Sequence, residues 1–339
     1  MRRRVLPWVL ILLSLPCLAA IGGAAWQMIA TQQDSAAHPA PGEMLDVGGH
    51  RLHLVCQGQG TPVVIMDAGL GDSWLTWSRT QPEIATRTRA CSYDRAGLGY
   101  SEAGPYPRDS RQIVGELHTL LTVAHIAPPY LLVGHSFGGY NTRLFAATYP
   151  SEVAGLVLVD ASHENQTTLF PPGMRALMAQ EMAAMRWRAR RAVLGFERAR
   201  GIPAFDPPSV PAEFAEQGAP IGYRTEWYRT MVGEFETFAS LSADEVRASR
   251  RPFDFPLVVV TGSAHMAEDL RGAGLSKADA DSTARVWQYL QRDEATLSRR
   301  SRHVIATKSS HYVNMDQPEL VIAAVDTVLA AIRHGAAKP

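Results

Sequence analysis

The chain has 339 residues, and its 33 Lys plus Arg equal its 33 Asp plus Glu, so the formal net charge is zero. That balance gives no electrostatic support for a nucleic-acid partner. The length allows one large or two ordinary domains, and three cysteines, Cys17, Cys56 and Cys91, are too few for a disulfide scaffold or a cysteine-based zinc site.

The N-terminal stretch differs from the rest. Arg2-Arg3-Arg4 precede an apolar run from Val5 to Ala30, weakly interrupted by Ser14 and Gln27. Such a run can cross a hydrocarbon layer of about 30 Å as a helix. A cleaved signal peptide has an apolar region of only about 7 to 15 residues, so residues 1–30 are expected to be an uncleaved membrane anchor. Small residues at Ala19-Ala20 and Gly23-Ala24-Ala25 offer the alternative of cleavage and secretion. The arginines favour the cytoplasmic side, which puts everything after residue 30 in an extracytoplasmic, oxidising space, periplasmic or extracellular. Residues 31–42 are small, polar and Pro-containing and read as a tether.

From Glu43 the pattern turns strand-like, with Met44–Val47 and Arg51–Cys56 joined by Gly48-Gly49 as a hairpin. Pro62–Asp67 is a continuous apolar run of the kind buried on both faces, and it opens into Ala68-Gly69-Leu70-Gly71. A helix is expected near Trp74–Ala85, a strand at Arg89–Tyr93, a second Gly-rich loop at Asp94-Arg95-Ala96-Gly97, and a helix over Arg111–Ala124. Then Leu131-Leu132-Val133 runs into Gly134-His135-Ser136-Phe137-Gly138, followed at once by a helical pattern from Tyr140 to Tyr149. Strand, Gly-x-Ser-x-Gly and helix in that order make a turn so tight that Ser136 is strained and its neighbours need to lack side chains. The serine oxygen is left at the tip. The Phe137 N–H, at the start of the helix, faces the place where charge develops when the serine attacks a carbonyl.

Gly155–Asp160 is a further strand ending in an acid, and 163–250 loses the strand signal. Pro256–Gly262 restores it, a helix over Ser282–Leu297 follows, and the strand His303–Ala306 leads to a polar loop with His311 and a last helix from Pro318 to Ile332. Strands alternating with helices imply a mostly parallel sheet, eight-stranded here, with helices on both faces. The expected layout is an α/β core at 43–162 and 251–339, interrupted by a helical cap at 163–250.

With the elbow, two Gly-rich loops and a late histidine in order, residues 43–335 resemble the α/β-hydrolases, in particular their capped, esterase-like branch. The resemblance implies the chain order serine, acid, histidine and puts the histidine in the loop after the last strand, which selects His311. A serine needs such a base, and the base needs an orienting acid. The resemblance also expects an Asp just after the strand Leu257–Thr261, where this chain reads Gly262-Ser263-Ala264-His265. Glu268 or Asp269 lies slightly further on, and Asp160 ends the preceding strand, a position some haloalkane dehalogenases of this fold use. Asp160 is preferred and Asp269 is the alternative. The second oxyanion donor is assigned to Leu70, whose flanking glycines let the backbone approach a substrate; the loop at Asp94 is given a supporting role.

In this fold the strands carrying Cys56 and Cys91 are neighbours, so a disulfide is expected there, with two buried thiols as the alternative. In the insertion, Met174, Met178, Met182 and Met185 recur at helical spacing among Trp187, Phe196, Phe205, Phe214, Phe235 and Phe238. That stripe fits either ordinary packing or a lid over an apolar pocket. Its arginines (Arg186, Arg188, Arg190, Arg191, Arg198, Arg200) fit a solvated face or anionic lipid headgroups near the anchor.

The expected function is a membrane-tethered serine hydrolase of carboxylic esters or related acyl compounds, with no cofactor and no metal, since no His-Glu-x-x-His helix occurs. Amide or lactone hydrolysis uses the same parts, and a catalytically silent ligand-binding receptor is the rival. A Ser nucleophile in place of Asp argues against epoxide-hydrolase or dehalogenase chemistry.

Overall fold

The inner strands are buried along almost their whole length because both of their faces are covered, and the computed structural model, which describes residues 6–204, 211, 218, 220–262 and 265–336, shows how. The strands are β1 (Glu43–Asp46), β2 (Arg51–Gln57), β3 (Val63–Asp67), β4 (Ala90–Tyr93), β5 (Tyr130–His135), β6 (Val153–Val159), β7 (Leu257–Gly262) and β8 (Ser301–Ala306). They form one eight-stranded sheet in the order β1-β2-β4-β3-β5-β6-β7-β8. β2 is antiparallel to both neighbours, and the remaining adjacent pairs are parallel.

The helices before the insertion are α1 (Leu6–Ala37), α2 (Gln81–Ala85), α3 (Ser110–Val123) and α4 (Phe137–Thr148). Within 163–250 lie α5 (Gln166–Leu169), α6 (Pro172–Ala192), α7 (Phe196–Ala199), α8 (Thr225–Thr237) and α9 (Ala243–Ser249). The remainder are α10 (Met266–Gly272), α11 (Lys277–Glu294), α12 (Val313–Asp316) and α13 (Pro318–Ala336). Successive strand residues point to opposite faces. Leu132, Leu156 and Leu158 therefore pack with Ile113 and Leu117 of α3 and Phe145 of α4, while Leu131, Val133, Val157 and Val159 pack with Val321, Val325 and Val328 of α13.

Cys56 and Cys91 stand opposite each other in the antiparallel β2–β4 pair and are joined as a disulfide. Three expectations about boundaries need correction. Residues 31–37, read as part of a tether over 31–42, continue α1 instead, because no proline follows Pro16 until Pro39; Ser35 Oγ closes back onto the Thr31 carbonyl at 2.9 Å. The stretch 74–85 splits into a short 3₁₀ turn, Trp74–Trp77, and α2, whose Pro82 lacks the N–H that a continuous helix requires there. And α11 starts at Lys277 rather than Ser282, capped by Ser276 Oγ accepting from the Asp279 N–H at 3.1 Å. Arg2 to Arg4, Phe205, Phe214, Ser263 and Ala264 lie outside the described residues.

Candidate active site

Where β5 gives way to α4 the chain turns at Ser136, which holds φ 51° and ψ −119°. That is a left-handed conformation uncommon for a side chain larger than glycine, and it costs on the order of 1–3 kcal/mol. Space dictates the flanking glycines, because a Cβ on Gly138 would collide with the Asp67 carbonyl and one on Gly134 with Gly138 and Thr142. The Ser136 carbonyl accepts from the N–H groups of Gly139 and Ser162, both at 2.9 Å, so the turn is fixed from two sides. Ser136 thus projects into a cavity of about 420 Å³ that His311 and Leu70 also line.

At the end of β6, Asp160 also has positive φ, 41°, and is fully buried. Its Oδ1 accepts from the Gly262 N–H and the Trp287 indole N–H, each at 2.9 Å, and its Oδ2 accepts from His311 Nδ1 at 2.6 Å. An ionised carboxylate only accepts, so the shared proton belongs to Nδ1, and Nε2 of His311 is left as the lone-pair nitrogen. Burial pushes the His311 imidazole down, but its hydrogen bond to Asp160, the Asp160 charge and the Asp72 charge outweigh that, and its pKa lies above the ordinary value. Asp269, the alternative acid, is an exposed residue of α10 on the cavity wall, and the His311 Nδ1 position it would need is occupied by Asp160.

A second histidine steadies the first. His135, in the variable position of the elbow, is buried and donates from Nε2 to the His311 carbonyl at 3.0 Å, with its Nδ1 3.7 Å from Asp72. Tyr312, the next residue after His311, donates its hydroxyl to Asp72 at 3.2 Å. Sequence reasoning assigns His135 no role. The only signal for it is an acid after the first Gly-rich loop and an aromatic after His311.

The loop 68–71 is gripped with equal care. Arg95, buried, donates to Asp67 Oδ1 at 2.7 Å, to the Ala68 carbonyl at 2.8 Å and to the Gly69 carbonyl at 2.5 Å. Its Nε donates to Glu234 of α8 at 2.6 Å. Glu234 in turn accepts from the Gly71 N–H at 2.8 Å, and Trp227 of the same helix donates to the Gly71 carbonyl at 2.8 Å. The loop backbone at Gly71 is therefore held from the insertion on both its donor and its acceptor side. A supporting role for the loop at Asp94 is readable in the sequence, but the partner on α8, 139 positions from Arg95, leaves no local trace there.

The cavity wall is mostly apolar. Phe170, Met174, Met178, Phe235, Phe238 and Trp287 contribute to it, so two of the four methionines of the helical stripe face the pocket. Glu181 and Asp269, both exposed, mark its outer edge. Among the described residues no group of three or more His, Cys, Asp or Glu side chains is gathered to hold a metal ion.

The fold that holds this serine turn, acid–imidazole pair and Gly-rich loop has known relatives. The chain is 27% identical over 291 residues to an AB hydrolase superfamily protein of Gibberella zeae, covering 80% of this chain and 87% of that one. Its fold matches the epoxide hydrolase CorEH with a TM-score of 0.62 at 19% identity, over 85% of this chain and 98% of that one. It also matches the enol-lactonase of Burkholderia xenovorans LB400 with a TM-score of 0.57 at 18% identity, over 85% of this chain and all (100%) of that one. The family model described as "Alpha/beta hydrolase family" matches residues 63–324, and the chain belongs to that family.

Proposed function

We propose that the protein is a serine hydrolase of carboxylic esters or related acyl compounds, working through an acyl-enzyme. Ser136 Oγ attacks the substrate carbonyl carbon and gives its proton to His311 Nε2. Asp160 orients the imidazole and stabilises it once protonated. The N–H groups of Phe137 and Leu70 hold the oxyanion. His311 then returns the proton to the departing alcohol, and water, activated by the same imidazole, releases the acid and restores Ser136.

The observation that carries this reading is the 2.6 Å bond from Asp160 to His311 at the edge of the cavity that Ser136 lines. A serine at the elbow, in place of an aspartate, favours acyl transfer over the epoxide opening named for one structural neighbour; lactone opening, named for another, would use the same groups. The apolar wall suits an acyl or alcohol chain, and Glu181 and Asp269 at the rim disfavour anionic substrates.

In this reading 163–250 acts as a cap over the core formed by 43–162 and 251–339. Helix α1, which is long and apolar enough to cross a membrane, anchors the chain with the catalytic part outside the cytoplasm, where the Cys56–Cys91 bond persists. A fluorophosphonate probe tests the reading: the wild-type chain should be labelled and Ser136→Ala should not. Absence of labelling in both would overturn it in favour of a silent ligand-binding receptor.

A further inference from the structure

The outer turns of α1 do not leave the body of the protein; they dock on the insertion. Arg198 of α7 donates to Gln27 Oε1 at 2.9 Å, to Asp34 Oδ2 at 2.5 Å and to Thr31 Oγ1 at 3.3 Å. Gln27 donates to the Tyr223 carbonyl at 2.7 Å. At the near end of this contact two glycines permit the approach: a Cβ on Gly23 would collide with the Leu194 carbonyl, and one on Gly195 with the Trp26 ring. Just before Gly23, Leu15, Leu18 and Ile21 are 55%, 61% and 67% exposed.

These positions set a level. From Leu6 to Gly22 the helix rises about 25 Å at 1.5 Å per residue, close to a hydrocarbon layer of about 30 Å. If α1 spans the membrane, the first docked residue, Gly23, therefore sits where hydrocarbon gives way to headgroups. The segment 186–200, which meets α1 through Leu194, Gly195 and Arg198, has six arginines against a single glutamate. It also exposes two large aromatics, Trp187 at 56% and Phe196 at 53%. Arg190 and Arg200 are exposed and make no ion pair among the described residues. Arg191 lies over the Trp187 ring at 5.8 Å, but a merely solvated basic face gives no reason for the exposed Phe196, whereas an interface of anionic headgroups over acyl chains accommodates arginines and both aromatics.

We propose that segment 186–200 lies on an anionic bilayer surface, with Trp187 and Phe196 at headgroup depth and Arg190 and Arg200 against lipid phosphates. The proposal rests on the anchor reading of α1. It deepens the functional one, because Met174 and Met178 of the cavity wall lie on the same helix, α6, as Trp187. The substrates this geometry favours are neutral, apolar esters that partition into the membrane.

The test uses the full chain with Cys17→Ser, labelled with an environment-sensitive fluorophore at Phe196→Cys or, as a control, at Glu83→Cys on α2. The chain is reconstituted into phosphatidylcholine vesicles with or without phosphatidylglycerol, and quenching by brominated lipid is read. Quenching at position 196 should exceed that at 83 at least three-fold in anionic vesicles, and adding Arg190→Glu with Arg200→Glu should reduce it at least two-fold. Equal quenching at 196 and 83 in a chain that resists alkaline carbonate extraction overturns the lipid surface and leaves the anchor standing. A chain stripped from vesicles by carbonate overturns the anchor reading and the surface with it.

Discussion

Arg95 and Arg143 face the same physical problem and use the solution differently. Each is a guanidinium with almost no exposure, 2% and 3%, set between two buried carboxylates: Asp67 and Glu234 for Arg95, Glu164 and Glu294 for Arg143. Each ties the core to the insertion or to its start, since Glu234 belongs to α8 and Glu164 lies just after β6. Burying such a charge is costly unless its partners are close and well aligned. The difference lies in the remaining donors. Arg95 spends them on the carbonyls of Ala68 and Gly69, the backbone of the loop that carries Leu70. Arg143 pairs with side chains, fixing α4 to α11 without touching the cavity. On the proposed reading, the Arg95 pair bears on the chemistry because it also holds the backbone of the loop that carries Leu70, and the Arg143 pair does not.

That contrast can be broken by experiment. Arg95→Met leaves Asp67 and Glu234 buried without their cation and frees the loop. Stability should fall by about 3–5 kcal/mol, and kcat by roughly 10²–10³-fold, the scale for losing one oxyanion donor. Arg143→Met should cost a similar amount of stability, read by urea unfolding, yet leave kcat within about two-fold per fluorophosphonate-titrated site, because its contacts lie outside the cavity. Equal loss of kcat in both variants would contradict the distinction.

The smallest effect sharpens the contrast through pH. His311 is raised by Asp160 and Asp72, and neither arginine contacts it. Because the imidazole must be neutral to accept a proton, activity should fall as pH drops through a value above about 6.5. That midpoint should be the same in Arg143→Met as in the wild type. The linked stability has the opposite sign: a raised folded-state pKa favours the protonated form. Its contribution is therefore fully present below pH of about 6.5 and is lost as pH rises through the folded value. Activity and this term of stability should cross, which pH-resolved kinetics and unfolding on one sample can check.

Much of the fold and of the site is legible in the amino-acid sequence. Apolar runs without alternation mark strands covered on both faces, and β3, β5, β6 and β7 lie where those runs are. Ser136 is marked by its motif between strand and helix, His311 by the loop in which the α/β-hydrolase resemblance expects a histidine, and Asp160, preferred over Asp269, by its place at a strand end on the ligand-binding edge of the sheet. Local pattern gives no access to partners chosen by packing. His135 reads as filler in a motif, Trp287 as one more residue of a helix, and Glu234 as a charge on an amphipathic insertion. Each acquires its role from a group more than a hundred positions away. The tether expected at 31–42 fails over 31–37 for another reason: its polar composition hides the absence of a helix breaker before Pro39, and its contacts to Arg198 lie in the insertion.

The central claim, that one serine hydroxyl carries the acyl group, is tested most directly by trapping the adduct. The full chain is mixed with p-nitrophenyl butyrate, quenched in acid during turnover, and analysed by intact mass and peptide mapping. The account requires a butyryl adduct on the peptide containing Ser136, absent in Ser136→Ala and undiminished per site in Arg143→Met. Turnover of the ester that persists in Ser136→Ala, or an adduct on any other residue, would contradict it.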